Sequence, residues 1–191
     1  MLINEVGFVR AIKRAYKNGG YTVINRDGKI TIYTAKWCVQ TSRKDLPRKA
    51  LAAIVEHMGM IPDQEPVYII KDEDPQTVMA ETAAEDMNRW RLGEDGDVVD
   101  MVPVIMQGLQ IFQAKDGPCW GIPLPCLSMI EQDEAEYYGA TVVDNDRLVW
   151  EDNAEVIAVE AVRKAKSGWA KAWEKAVWEA LESVDLHKED E

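Results

Sequence analysis

The side chains able to do chemistry in this chain are few and far apart. Its 191 residues include two histidines, His57 and His187. A general base needs a positioned partner as well as a suitable pKa. His187 lies in the charged end, residues 187–191, where a terminus is expected to fray. His57 falls at the edge of an apolar helical face, an ordinary place for a boundary histidine. The cysteines, Cys38, Cys119 and Cys126, form an odd set, which argues against a disulfide framework. Six residues separate Cys119 from Cys126, too many for a zinc knuckle, and no second Cys/His pair follows. The string Gly117-Pro118-Cys119-Trp120-Gly121 holds the letters of a thioredoxin-type site in the wrong order. It lacks the second cysteine that would depress a thiol pKa. Buried, reduced thiols are therefore expected.

Carboxylates are plentiful: Asp72-Glu73-Asp74, Asp95 with Asp97, residues 131–136, and Asp144 with Asp146. None follows the EF-hand pattern, and two of these clusters sit where turns or caps call for Asp on backbone grounds. No GxxxxGK[ST], GxGxxG or GxSxG string occurs. The sequence thus assigns no catalytic, metal or cofactor-binding residue and implies no cofactor. Carboxylates far apart in sequence leave one enzymatic alternative open, a metal-dependent hydrolase.

The remaining candidates are contact residues. Arg10, Lys13, Arg14 and Lys17 fall within one arc of a helix spanning residues 4–17, opposite Phe8, Ala11, Ile12, Ala15 and Tyr16. Seven tryptophans are many for this length. Trp90, Trp150, Trp169 and Trp173 sit on apolar faces and are expected to pack inside. Trp178 lies about 180° from Trp169 on the same helix, at 100° per residue. Its neighbours there are Lys171, Lys175 and Glu182, so an exposed anchor for a partner is expected.

The net charge of −12 conceals an asymmetry. Residues 1–71 hold 12 Lys/Arg against 6 Asp/Glu, and residues 72–191 hold 10 against 28. Such a layout steers partners or favours head-to-tail self-contact. No apolar run approaches the ~20 residues of a membrane span, and residues 1–5 lack the regions of a signal peptide. A cytoplasmic protein is expected.

These residues must be positioned by helices and hairpins. After the first helix, residues 21–24 and 30–33 flank Asp27-Gly28 as a hairpin, with a third extended piece near 37–40. A helix then follows, capped by Asp45, with Pro47 in its first turn and Leu51, Ile54, Val55 and Met58 on its buried face. Residues 66–71 read as a short strand. A helix opens at Asp74-Pro75 and carries Met79, Ala83, Met87 and Trp90 on its apolar side. Strands are expected at 102–106, 109–113, 119–122, 141–143 and 147–150, with a short helix and loop over 124–138. Residues 153–184 read as a long C-terminal helical segment broken at Ser167-Gly168. The expected fold is α+β: antiparallel meander and hairpins packed with three to five helices. Residues 1–186 form a single domain, with a basic part (1–71) and an acidic part (72–186) as possible subdomains.

The hairpin Tyr21-Thr22-Val23-Ile24 to Ile30-Thr31-Ile32-Tyr33, followed by Leu46-Pro47-Arg48-Lys49-Ala50-Leu51-Ala52-Ala53-Ile54-Val55-Glu56-His57-Met58-Gly59, resembles uncharacterised small proteins of prophages and mobile elements in Gram-positive bacteria. The resemblance covers about a quarter of the chain and implies genomic context, with no activity and no site residues. The leading expectation is a non-enzymatic accessory factor that binds a protein partner or itself, with Trp178, Lys171, Lys175, Arg10, Lys13, Arg14 and Lys17 as contact residues. The alternative is a nucleic-acid-binding module built on the first helix, helped by Arg26, Lys29, Lys36, Arg43, Lys44, Arg48 and Lys49. The overall acidity opposes it, because phosphate affinity follows the number of cations brought to the backbone.

Overall fold

The computed structural model describes residues 1–90, 92, 96–115, 117–134, 139–144, 146–163 and 172–186. Helix α1 spans Glu5–Lys17. Asn4 caps it, its side chain accepting the Gly7 N–H at 2.8 Å. Glu5 in the first turn and Arg14 and Lys17 in the last complement the helix dipole. β1 (Tyr21–Arg26) and β2 (Lys29–Tyr33) follow, joined at the Arg26–Lys29 pair across Asp27-Gly28. Both turn residues have positive φ, at 54° and 75°, as a two-residue hairpin requires. β3 (Trp37–Ser42), α2 (Arg48–Met58), β4 (Val67–Ile69), β5 (Gln76–Thr77) and α3 (Ala80–Trp90) come next. The second half supplies β6 (Asp97–Met106), β7 (Leu109–Gln113), β8 (Cys119–Pro123), α4 (Leu124–Leu127), β9 (Ala140–Val143), β10 (Arg147–Glu151), β11 (Glu155–Glu160) and α5 (Ala172–Glu182).

The strands form one eleven-stranded antiparallel sheet in the order β5-β4-β1-β2-β3-β11-β10-β9-β6-β7-β8. This overturns the expected α+β fold, a meander and hairpins packed with three to five helices and ending in a long C-terminal helical segment. Residues 155–160 are a sheet strand, paired with β3 on one side and β10 on the other. Its residues 155–159 are all buried. A strand covered on both faces loses the polar/apolar alternation that marks a half-buried one. The described part of the C-terminal helix, α5, is 11 residues long. The expected break at Ser167-Gly168, Trp169 and the frayed end 187–191 lie outside the described residues.

The sheet carries helices on both faces. Phe8 and Ile12 of α1 and Ala50 and Ile54 of α2 join Val23, Ile32, Val39, Ile157 and Leu148 in the main core. On the other face Met87 and Trp90 of α3 meet Tyr33, Cys38, Val149 and Val156. Trp178 and Leu181 of α5 meet Val102, Ile111 and Cys119. The arc from β11 to β8 also returns on itself. Gly121 of β8 and Val162, just past β11, exchange backbone hydrogen bonds of 2.7 and 2.8 Å. One edge is thereby partly covered. Inside the arc Phe112 and Trp150 make an edge-on ring contact at 5.5 Å. β6 bends as it passes from β9 to β7, with a register shift between Met101 and Ile105. The Gln110 side-chain amide donates to the Val102 carbonyl there at 2.5 Å, satisfying an acceptor beside the irregularity.

Helix boundaries and faces also differ from expectation. α2 is entered through Pro47 with no side-chain cap. Asp45 instead accepts the Ser42 hydroxyl at 2.6 Å. Its buried residues are Ala50, Ala53, Ile54 and Met58, while Leu51 and Val55 are 37% and 39% exposed. Small alanines let α2 lie close to α1, with Ile54 and Met58 buried beside them and Leu51 and Val55 left on the flank. α3 starts at Ala80, because Gln76–Thr77 is taken up as an edge strand, and Met79 is exposed.

Candidate binding site

α1 is held between two neighbours, which fixes where its cations point. On one side Glu5 pairs with Lys49 of α2 at 3.3 Å and accepts the Lys49 backbone N–H at 3.1 Å. That backbone contact leads the causes that lower the Glu5 pKa. On the other side Gly7 lies against the Ser128 carbonyl just past α4, so close that a Cβ there would collide with backbone. With Phe8, Ala11 and Ile12 buried, the helix cannot roll. Arg10, Lys13, Arg14 and Lys17 are exposed together on its outer face. None of the four makes an ion pair among the described residues. The predicted stripe is therefore assembled as an unneutralised cationic ridge.

α4 divides the flank of this ridge into two clefts. Arg10 lines one of about 550 Å³ with Val6, Met101, Leu124, Leu127 and Glu131. Arg14 lines another of about 400 Å³ with Lys36, Trp37, Pro125 and Cys126.

The C-terminal part of the predicted contact set is not brought to this ridge. Trp178, expected to be an exposed anchor, is 5% exposed and packs on Val102, Ile111 and Cys119. The pocket offered by β6, β7 and β8 rotates the buried arc of α5 by about 90° at 100° per residue. Trp173, expected inside, is 48% exposed in consequence. Lys175 is exposed and lies 3.8 Å from Glu179. Lys171 lies outside the described residues. α5 covers the sheet face opposite α1, so Trp178 and Lys175 belong to a different surface from the ridge.

The described nucleophile and base candidates are partly or fully enclosed. The His57 Nδ1 is 3.0 Å from the Tyr21 hydroxyl, and its ring stacks on Tyr16 at 3.9 Å. Burial pushes the His57 pKa down, assisted by Lys13 and opposed by Glu56. Burial also pushes up the Tyr21 hydroxyl and all three thiols, Cys119 to about 11. A thiol held so high is a poor nucleophile at neutral pH. Among the described residues no three His, Cys, Asp or Glu side chains converge as metal ligands. Asp144 and Asp146 are instead engaged by Arg147 at 3.3 and 3.4 Å, which also lies over the Trp90 ring.

Two interior polar groups were not singled out from sequence. Gln113 holds the segment after α5: its amide donates to the Val184 carbonyl and accepts the Leu186 N–H, each at 2.8 Å. Glu155, 1% exposed at the start of β11, holds the N-terminus. Its Oε2 accepts the Leu2 and Ile3 N–H groups at 2.5 and 3.0 Å. Its Oε1 is buried without a hydrogen bond, as is Oγ1 of Thr41, its partner across β3. Burial raises the Glu155 pKa, against the lowering effect of those two N–H groups. A charged residue opening the apolar run Val156-Ile157-Ala158-Val159 was the available signal.

Compared with known protein families, characterised proteins and solved structures, the chain matches none.

Proposed function

We propose that this chain is a binding protein, an accessory factor whose α1 ridge docks on an acidic protein surface. The carrying observation is the set Arg10, Lys13, Arg14 and Lys17, exposed and without ion pairs among the described residues of a chain of net charge −12. Desolvated only at its rim, each exposed cation contributes ~0.2–1 kcal/mol to a contact, so four supply about 1–4 kcal/mol. The acidic surface at hand is residues 72–191 of a second copy, with 28 Asp/Glu against 10 Lys/Arg. The resemblance of residues 21–62 to small prophage and mobile-element proteins bears on genomic context and not on activity. Three unpaired cysteines, two of them buried, suit a reducing compartment such as the cytoplasm. No helix of the described residues is long and apolar enough to cross a membrane.

Sedimentation velocity at low and physiological salt tests this, comparing wild type with the double variant Arg10→Glu, Arg14→Glu. The expected result is concentration-dependent association that salt weakens and the variant loses. Duplex DNA and single-stranded RNA, titrated at physiological salt, are expected not to bind. A monomer under every condition refutes the assignment. Micromolar nucleic-acid binding lost in the variant would replace it with a nucleic-acid-binding role, with a log–log salt slope near −0.9 per phosphate contact on duplex DNA.

A further inference from the structure

We infer that the cleft between α1, the β2–β3 turn and α4 is a binding site for a small organic anion, an apolar body carrying one carboxylate, sulfonate or phosphate head. Its volume of about 400 Å³ falls within the range of ligand clefts, ~300–1,000 Å³. Its lining is largely apolar, with Ala15, Trp37, Pro123, Pro125 and Cys126 beside the uncharged polar Asn18 and Thr34. Among the described residues, Arg14 and Lys36 supply the only charges of its lining and no carboxylate lines it. That composition sets it apart on this acidic chain. The other clefts each include a carboxylate: Glu131 where Arg10 lines, Asp86 where Arg89 lines, and Asp27 where Arg26 and Lys29 line. Neither Arg14 nor Lys36 makes an ion pair among the described residues. Both lie near enough to Cys126 for their charges to act on its thiol, as does Glu160 with the opposite sign.

The site is also preorganised. Oγ1 of Thr34 accepts the backbone N–H groups of Lys36 and Trp37 at 3.0 and 3.1 Å, and the Lys36 carbonyl accepts the Glu160 N–H at 2.9 Å. The turn bearing Lys36 is thus tied to itself and to β11. Behind it Trp37 packs edge-on against Phe8 at 6.0 Å. On the facing side the end of α1 is closed by the Gly20 N–H on the Ala15 carbonyl at 2.8 Å. Two cations from separate, fixed elements bind an anion without the cost of ordering a loop. The apolar walls select an anion with a hydrophobic body over inorganic sulfate or phosphate. The inference is independent of the protein-partner reading, because it rests on Lys36 and the α4 wall as much as on Arg14.

The test uses 8-anilinonaphthalene-1-sulfonate as the anion, its neutral counterpart N-phenyl-1-naphthylamine, and sodium sulfate, titrated against the full chain. Wild type is expected to bind one equivalent of the sulfonate, the neutral probe at least tenfold more weakly, and sulfate without competition at millimolar concentration. Arg14→Gln and Lys36→Gln are each expected to weaken sulfonate binding about threefold to tenfold, the gain expected of one charge-assisted contact at a partly desolvated rim. Lys115→Gln, which lines none of these clefts, is expected to leave it unchanged. All three side chains are exposed, so folding is retained and confirmed by the melt. Bound sulfonate should also slow modification of Cys126 by a maleimide. Equal binding by the Arg14→Gln, Lys36→Gln double variant, equal affinity for the neutral probe, or an unchanged Cys126 rate overturns the inference.

Discussion

Glu155 offers the sharpest test of how this interior is held together. Its carboxylate is the acceptor for two buried backbone N–H groups, those of Leu2 and Ile3. Removing the acceptor with Glu155→Ala strands both. At ~1–3 kcal/mol per unsatisfied buried group the loss is about 2–6 kcal/mol. For a chain of this size that corresponds to roughly 4–24 °C in Tm, at ~2–4 °C per kcal/mol. Glu155→Gln behaves differently. It keeps a carbonyl oxygen to accept from the two N–H groups. It also removes an ionisation that the fold disfavours. Because the folded pKa is raised above the ordinary 4.5, the folded chain holds this proton more tightly than the unfolded one. The stability it contributes is complete below the ordinary carboxylate pKa and is lost as pH rises through the folded value. Differential scanning fluorimetry of wild type and Glu155→Gln from pH 5 to pH 8 reads this directly. The variant should gain on wild type as pH rises, while Glu155→Ala melts below both throughout. A Gln variant as damaged as the Ala variant, with a gap independent of pH, would falsify the reasoning.

Three further outcomes follow from burial. Ile54→Ala should cost ~2–5 kcal/mol and Leu51→Ala about 1 kcal/mol or less, because of these two only Ile54 is buried; urea melts that reverse this order would remove Ala50, Ala53 and Ile54 as the packed face. Trp178→Ala should cost ~3–5 kcal/mol while Trp173→Ala stays within about 1 kcal/mol, and calorimetry showing the opposite pattern would return Trp178 to the surface. In the native state a maleimide should modify Cys126 before Cys38 and Cys119, the two buried thiols, with mass spectrometry of peptides giving the order.

Much of the local structure was written in short stretches of sequence. Asn4 with the Phe8/Ile12 spacing specified α1, and Asp27-Gly28 between β-branched runs specified the first hairpin. Leu109, Ile111 and Phe112 marked a strand. The cationic stripe needed only the helical period, since positions 10, 13, 14 and 17 share an arc in any α-helix. Tertiary structure decided the rest. Residues 155–160 became a strand because β3 and β10 offered edges on both sides, and burial on both faces erased the alternation that would have announced it. The same apolar helix residues admit several rotations, and the partner surface chose among them: alanines turned α2 toward α1, and the hollow over Ile111 drew Trp178 inward while leaving Trp173 outside. Pairing across 152 to 153 residues, as between Glu155 and the N-terminal amides, has no local signature at all. Nor does the meeting of Arg14 and Lys36 at one cleft, since they stand on different elements. Hydrophobic period is a property of neighbours in sequence, whereas the choice of face and the company a charge keeps are set by surfaces that only the folded chain brings together.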